Sequence, residues 1–195
     1  MKRIAIFASG AGSNAEKIIH YFANHPTISV AMVISNKPGA GVIDIAKQND
    51  VFVLLIEKEA FFYGDNYLGK LKNHEIDFIV LAGFLWKIPV GLIEAFPEKI
   101  INIHPALLPS YGGKGMYGDF VHEAVIKAGE TQSGITVHLV DEIYDNGTTI
   151  FTATCPVMAN DTPQTLALRI HQLEHKFYPQ VIERYITNFQ DAQSF

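Results

Sequence analysis

The chain has 195 residues, of which 48% are hydrophobic and 18% charged, and its formal net charge is −5. The acidic balance argues against nucleic acid as a partner, because a surface that binds phosphate backbones needs a basic excess. The single cysteine, Cys155, excludes an internal disulfide framework and a cysteine-based metal cage. The apolar run near the N-terminus is too short for a signal peptide or a membrane span. We therefore expect a single-domain cytoplasmic protein.

Short β-branched runs alternate with longer helical patterns along the whole chain. The pattern predicts strands over residues 3–9, 27–35, 51–57, 77–83, 99–104, 133–141 and 149–157. It predicts helices over residues 13–24, 41–50, 66–75, 119–130 and 163–186, the last capped by Asp161 or Thr162 and kinked or broken by Pro179. This alternation predicts an α/β fold with a mostly parallel twisted sheet. The short polar turn between the last two strands predicts an antiparallel edge.

The first strand leads into "SGAGSNA", residues 9–15, where the first helix is expected to begin. Free N–H groups and the helix dipole make this position an anion site, at which Gly12 allows close approach and Ser13 and Asn14 add donors and helix caps. The spacing of Gly10 and Gly12 also fits a dinucleotide fingerprint, but the second strand lacks the carboxylate that would hold a ribose. A single phosphate or phosphosugar is therefore favoured. A glycine turn needed only for packing is the alternative.

The stretch "KIINIHPALLPSYGG", residues 99–113, places Asn102 and His104 two positions apart at the end of a strand. Such side chains project to the same side, at the sheet edge where α/β proteins bind ligands. An amide donor beside an imidazole suits acyl transfer, in which both groups stabilise a developing oxyanion. Asp145, in the turn "YDNGT", is expected to hold the pKa of His104 at or above its usual value. The alternatives are a capped strand end for Asn102 and His104 and an ordinary turn residue for Asp145.

Several segments resemble, in chain order, those of a known enzyme family. "NIHPALLPSYGG" is similar to the N-x-H-x-S-L-L-P segment of the 10-formyltetrahydrofolate-dependent formyltransferases, and "SGAGSN", "VLAGF", "HLVDEIYDNG" and "LEHKFYP" match further segments. The resemblance covers nearly the whole chain. It implies one Rossmann-like formyltransferase domain over residues 1–195, with a phosphate-binding half of about residues 1–100 and a catalytic and folate-binding half of about residues 77–188.

The resemblance also implies a reaction. Members of this family that act in de novo purine biosynthesis transfer the formyl group of 10-formyltetrahydrofolate to the amine of N1-(5-phosphoribosyl)glycinamide. The implied partners are these small molecules, without a metal, nucleic acid or membrane, and a homodimer is compatible with the family. A formyltetrahydrofolate hydrolase or another formyltransferase is the alternative within the family. A non-enzymatic phosphosugar-binding module is the alternative from a different class.

Site residues are carried over by position. The resemblance assigns catalysis to Asn102, His104 and Asp145, ribonucleotide binding to Gly12, Ser13, Asn14 and Glu174, and folate binding to Leu85, Trp86, Lys87, Ile88 and Asn102. His138 matches a histidine near the reacting centre, with a buried strand histidine as the alternative. Two positions depart from the family, because Trp86 and Gly64 stand where relatives usually carry arginine.

Other histidines have simpler interpretations. "HQLEH", residues 171–175, matches the H-x-x-E-H pattern of zinc hydrolases. No third ligand segment stands out, and the apolar stripe of the same helix is explained by packing onto the sheet. We therefore expect no zinc site. His122 is expected to be a surface histidine of its helix.

Overall fold

The structure is a computed structural model that describes residues 1–63 and 66–192. Its strands are β1 Lys2–Phe7, β2 Ile28–Ser35, β3 Phe52–Leu55, β4 Phe78–Leu81, β5 Ile100–His104, β6 Gln132–Leu139 and β7 Thr149–Pro156. They form a seven-stranded sheet in the order β3-β2-β1-β4-β5-β6-β7. The pairs from β3 to β5 are parallel, and β6 pairs antiparallel with both β5 and β7. The predicted mostly parallel α/β fold with an antiparallel edge is confirmed.

Helices cover both faces of this sheet. They are α1 Ser13–Phe22, α2 Gly41–Gln48, α3 Lys58–Tyr63, α4 Asn66–Asn73, α5 Val90–Ala95, α6 Asp119–Lys127 and α7 Pro163–Ala192. Buried residues of α1, α2, α6 and α7 join one apolar cluster, and those of α3, α4 and α5 join the other. β4 lies between the two clusters, and its burial on both faces explains why "FIVL" is wholly apolar. None of the helices within the described ranges combines the length and the apolar character needed to cross a membrane.

Helix ends and interruptions differ in part from the sequence-based expectations. Thr162 caps α7, because its Oγ1 accepts a hydrogen bond of 3.2 Å from the Thr165 N–H. The predicted break at Pro179 is wrong, since α7 is one helix from Pro163 to Ala192. Fully buried side chains on both sides of the proline, Tyr178 and Ile182 among them, hold the two parts of the helix on the same sheet face. The short helices α3 and α5 were not predicted, and Gly64 lies outside the described residues.

The strand order of the sheet creates a position at which a ligand can bind. β1 pairs with β2 on one side and with β4 on the other, so the chain changes direction across the sheet beside β1. Open α/β sheets bind ligands at such switch points, beyond the carboxyl ends of the strands. The antiparallel pairing of β5 with β6 places Asn102 opposite His138 at the same edge. The fold therefore brings the end of β5 to the same sheet edge as the loop that follows β1, with β4 between the two strands.

Candidate active site

A cavity of about 740 Å³ lies at the carboxyl edge of the sheet. Its walls come from the turn after β1, the segment after β4, the end of β5, the loop before α6, the β6–β7 connection and α7. Every residue that the sequence analysis assigned to the site lines it: Gly12, Ser13, Asn14, Leu85, Trp86, Lys87, Ile88, Asn102, His104, His138, Asp145 and Glu174. The structure thus brings the predicted residues together around one space large enough for a drug-sized ligand.

The turn after β1 depends on Gly12. This residue has φ 88°, in the left-handed region, and α1 begins directly after it at Ser13. A Cβ on Gly12 would lie 2.7 Å from the Cα of Val42, so no other residue fits without moving the backbone. The predicted capping by Ser13 or Asn14 is wrong, because Gly12 is the N-cap and α1 has no side-chain cap bond. The first N–H groups of α1 are consequently free of side-chain caps at the cavity wall.

The side chain of Asn14 forms a hydrogen bond with α7 and does not cap its own helix, α1. Its Nδ2 donates a hydrogen bond of 2.9 Å to Oε2 of Glu174. Glu174 is 5% exposed, and burial raises the pKa of its carboxyl while the bond from Asn14 opposes that shift. The Oδ1 of Asn14 is buried and has no hydrogen-bond partner among the described residues.

Asn102 and His138 fix each other's orientation. The Nδ1 of His138 lies 2.8 Å from the Leu139 carbonyl, which only accepts, so Nδ1 carries the proton. The Nε2 of His138 is then the acceptor for the Asn102 amide, whose Nδ2 lies 3.0 Å away. This bond uses one of the two N–H groups of Asn102 and leaves the other for the cavity. The strand register thus places His138 where it accepts a hydrogen bond from the Asn102 amide.

His104 is buried at the end of β5 with its two nitrogens in different environments. Its Nε2 donates to the Tyr111 carbonyl at 2.8 Å, and its Nδ1 lies 3.6 Å from Oδ2 of Asp145. Burial lowers the pKa of His104 more than the charge of Asp145 and the Tyr111 carbonyl raise it. The expectation that Asp145 holds this pKa at or above its usual value is wrong, because the imidazole is only 3% exposed. Nδ1 is the nitrogen that remains for chemistry.

Asp145 is held as a carboxylate between two histidines. Its Oδ2 accepts a hydrogen bond of 2.8 Å from the Gly113 N–H, and its Oδ1 lies 3.7 Å from Nε2 of His138. Burial would raise the pKa of Asp145, but His104 and the hydrogen bond from the Gly113 N–H lower it. Its φ of 53° is a left-handed conformation that aspartate tolerates in turns. Asp145 is therefore ionised where it faces His104.

Residues 84–88 form a mostly apolar wall of the cavity, in which Lys87 is the one charged side chain. Trp86 packs among aromatic rings, with centroids 5.8 Å from Phe61, 5.7 Å from Phe62 and 6.2 Å from Phe84. The segment is tied to the β1 turn because the Leu85 N–H donates to Ser9 Oγ at 3.0 Å. An aromatic wall of this kind suits a flat heteroaromatic ligand.

Similarity to known proteins extends over nearly the whole chain. A family profile described as Formyl transferase matches residues 2–182. The chain belongs to the formyl transferase family.

Several relatives of the chain are named phosphoribosylglycinamide formyltransferase. The phosphoribosylglycinamide formyltransferase of Bacillus subtilis strain 168 is 37% identical over 189 residues, which is 94% of each chain. The chloroplastic phosphoribosylglycinamide formyltransferase of Arabidopsis thaliana is 42% identical over 188 residues, and the chain spans 64% of that relative's length. A crystal structure of phosphoribosylglycinamide formyltransferase from Bacillus halodurans is 37% identical, covers 94% of each chain and has a TM-score of 0.84.

Some groups that build the site of this formyl transferase family member could not be predicted from the residue types in the sequence. The Tyr111 carbonyl and the Gly113 N–H contact His104 and Asp145 through the backbone, which residue identity does not reveal. The prediction of a surface position for His122 is wrong, since it is 2% exposed and lines the cavity. Val121 and Val125 beside it on α6 are also buried, and this apolar face was the available signal.

The two histidines of the H-x-x-E-H segment, residues 171–175, differ in their position relative to the cavity. The rings of His171 and His175 stack with centroids 6.1 Å apart, and of the two only His171 lines the cavity. Within residues 1–63 and 66–192, no group of three His, Cys, Asp or Glu side chains is placed to hold a metal ion. The segment therefore contributes His171 and Glu174 to the cavity wall.

Proposed function

We propose that the chain transfers the formyl group of 10-formyltetrahydrofolate to the amine of N1-(5-phosphoribosyl)glycinamide, a step of de novo purine biosynthesis. The observation that carries this proposal is the convergence of Asn102, His104 and Asp145 on the cavity that the glycine turn also lines. The names of the relatives support the same reaction.

Substrate positions follow from the two walls of the cavity. The phosphate binds the free N–H groups at Gly12, Ser13 and Asn14, where the dipole of α1 adds partial positive charge. The ribose lies against Glu174, whose buried carboxyl accepts from hydroxyl groups. The pterin of the folate lies along Leu85–Ile88, with Ile88 buried and Leu85 exposed at the cavity mouth. The reacting amine and the formyl carbon then meet near Asn102.

The chemical step is acyl transfer through a tetrahedral intermediate. The amine nitrogen forms a bond to the formyl carbon, and the formyl oxygen becomes negative. The second N–H of Asn102 donates to this oxygen, and Nδ1 of His104 donates to it after taking up the proton that the amine loses. One such preorganised donor is typically worth about 3–4 kcal/mol of barrier. The bond between carbon and the folate nitrogen then breaks, and that nitrogen takes up the proton that the amine loses.

His104 carries the proton during this exchange. Its Nε2 is bound to the Tyr111 carbonyl, so the transfer uses Nδ1, which faces Asp145. Burial lowers the pKa of His104, which favours the neutral imidazole near neutral pH. The oxyanion opposes that shift, and the Asp145 carboxylate then faces an imidazolium. General acid–base assistance of this kind is worth about 100- to 10,000-fold in rate.

The proposal also covers the metal requirement, the location, the oligomeric state and the roles of the two halves of the domain. We infer that the reaction needs no metal and takes place in the cytoplasm, and that the protein acts as a monomer or a homodimer. Residues of the first half bind phosphate, and those of about 77–188 supply the catalytic and folate-binding groups.

The reaction is tested by following folate release from 10-formyltetrahydrofolate with and without N1-(5-phosphoribosyl)glycinamide. We expect release only when the amine is present, together with an equal amount of N-formyl ribonucleotide. Release without the amine would assign a formyltetrahydrofolate hydrolase instead. Binding of the ribonucleotide without any release would assign a phosphosugar-binding module.

A further inference from the structure

A buried serine outside the cavity is hydrogen-bonded to the wall formed by residues 84–88, which we call the folate wall. Ser9 is 2% exposed and does not line the cavity. Its Oγ accepts a hydrogen bond of 3.0 Å from the Leu85 N–H and donates one of 2.7 Å to Oδ1 of Asn36. A serine hydroxyl has one hydrogen, so the bond to Asn36 fixes that hydrogen and leaves a lone pair for Leu85.

The bond from Leu85 continues a series of bonds between the end of β1 and the segment after β4. The Ala82 N–H donates to the Phe7 carbonyl at 2.8 Å, and the Ser9 N–H donates to the Gly83 carbonyl at 3.1 Å. Both of these bonds join backbone groups. The next one joins the Leu85 N–H to the Ser9 side chain, so it is the bond in this series that a substitution can remove.

The folate wall has little backbone support after Leu85. Residues 86–88 lie outside the helices and strands, and in the part of the chain that the structure describes they form no hydrogen bond between backbones. Trp86 packs among aromatic rings, but such packing places the indole and does not fix where the backbone N–H and C=O groups face. The course of this backbone therefore depends on where the chain is held at Leu85.

We propose that Ser9, oriented by Asn36, is a positioning residue that holds the folate wall in its binding conformation and thereby sets the affinity for the folate. The inference rests on the proposed function for the identity of the ligand. Ser9 touches no substrate and acts through the Leu85 N–H. It also directly precedes Gly10 and the glycine turn, so one residue links the positions proposed for the two substrates.

The expected effect follows from the bond that Ser9→Ala removes. The Leu85 N–H loses its acceptor, while the backbone bond from residue 9 to Gly83 is kept. An unpaired backbone N–H is costly, so the segment turns to reach water or another acceptor. Folate binding must then restore the original conformation, which weakens it. The side chains of Asn102 and His104 have other partners, so chemistry with saturating folate is preserved.

The first experiment compares Ser9→Ala with the wild type. Calorimetry gives the Kd for tetrahydrofolate and for N1-(5-phosphoribosyl)glycinamide, and steady-state kinetics give kcat and the KM for 10-formyltetrahydrofolate. We expect the folate Kd and KM to rise by about tenfold, with kcat and the ribonucleotide Kd within about twofold of the wild type. Trp86 is the only tryptophan of the chain, so its fluorescence reports on the wall without ligand. We expect its emission to move to longer wavelength.

Variants of Asn36 test the orientation of the Ser9 hydroxyl. Asn36→Ala frees the hydroxyl to rotate, and we expect the folate Kd to rise by about threefold. Asn36→Asp keeps an acceptor oxygen and should restore the wild-type Kd. Because Asn36 acts through Ser9, adding Asn36→Ala to Ser9→Ala should cause no further loss.

Ser35→Ala is the matched control. Ser35 is a fully buried serine at the end of β2, and its Oγ bonds the backbone of Lys37 at 3.3 Å instead of the folate wall. We expect a wild-type folate Kd and wild-type Trp86 emission in this variant. Near-UV circular dichroism checks that each serine variant is folded.

Several results would overturn the inference. They are a wild-type folate Kd in a folded Ser9→Ala, an equal loss of affinity for the ribonucleotide in that variant, or an equal loss of folate affinity in Ser35→Ala. Asn36 is only half-buried, so Asn36→Ala decides the question should Ser9→Ala fail to fold. A wild-type folate Kd in Asn36→Ala would then reject the role of the hydroxyl.

The outcomes separate this inference from the proposed reaction. Formyl transfer by the wild type, with an unchanged folate KM in Ser9→Ala, would retain the reaction and reject the role of Ser9. Weaker tetrahydrofolate binding in Ser9→Ala, without formyl transfer by the wild type, would retain the role and reject the reaction. Failure of the wild type to bind tetrahydrofolate would contradict both.

Discussion

The glycine turn and the β5–β6 edge line the same cavity but are built in different ways. The turn offers backbone N–H groups, and its shape depends on Gly12, whose φ is 88°. The β5–β6 edge offers side chains, and its geometry depends on which nitrogen of His138 and of His104 carries a proton. The first region is therefore sensitive to added atoms, whereas the second is sensitive to changes in charge and tautomer.

This difference separates binding from chemistry. Backbone donors at a helix start hold an anion throughout the reaction and contribute equally to bound substrate and transition state. The amide of Asn102 and Nδ1 of His104 act on charge that exists only midway through the reaction. Changes at the turn should therefore appear in folding and in KM, and changes at the β5–β6 edge should appear in kcat.

The largest effect on the turn is expected from Gly12→Ala. The added Cβ would lie 2.7 Å from the Val42 Cα, and the residue would keep a φ that non-glycine residues rarely adopt. We expect the free energy of unfolding to fall by at least about 2 kcal/mol, with a large rise in KM for the ribonucleotide. Urea denaturation and steady-state kinetics measure the two effects.

Gly10→Ala is the matched control for that substitution. A Cβ on Gly10 would have no atom within 4 Å. We expect its free energy of unfolding to stay within about 0.5 kcal/mol of the wild type. Equal destabilisation by both substitutions would show that the turn does not depend on Gly12 in the way described.

At the β5–β6 edge, Asp145→Asn is expected to act on His104. The Asp145 charge is the largest of the effects that raise the pKa of His104, so its removal lowers that pKa further. Less imidazolium is then available at neutral pH, and kcat should fall by about 100-fold. NMR titration of the His104 ring checks the direction, and an unchanged or raised pKa in the variant would contradict the assigned role.

A smaller effect is expected from His138→Leu. The substitution removes the acceptor that orients the Asn102 amide but leaves that amide in place. One hydrogen bond is worth about 1 kcal/mol, so kcat should fall by about fivefold with little change in either KM. Combining it with Asn102→Ala should add little further loss. Fully additive losses would mean that His138 acts independently of Asn102.

The sequence predicted the residue types of the site better than their bonds. The spacing of Asn102 and His104 and the strand pattern were enough to place both side chains at one edge, because strand periodicity is strict. It did not predict that Asn14 bonds Glu174 instead of capping α1, since residue 174 is brought near by tertiary packing. The burial of His104 reversed the expected direction of its pKa for the same reason.

Other departures have equally physical causes. Pro179 remains inside α7 because buried side chains before and after it pack on the sheet, which outweighs a local preference. The helices α3 and α5 have six residues each, too few for a periodic pattern to be distinctive. Local patterns thus predicted the layers of the fold, and long-range contacts decided the details.

The most direct test of the account is the single-turnover rate of formyl transfer in Asn102→Ala and His104→Ala. We predict that each substitution lowers this rate by about 100- to 1,000-fold while the affinity for the ribonucleotide changes little. His20→Ala, on the exposed surface of α1, should keep the wild-type rate. A wild-type transfer rate in Asn102→Ala or His104→Ala, or a loss confined to substrate affinity, would contradict the claim that these groups stabilise the oxyanion.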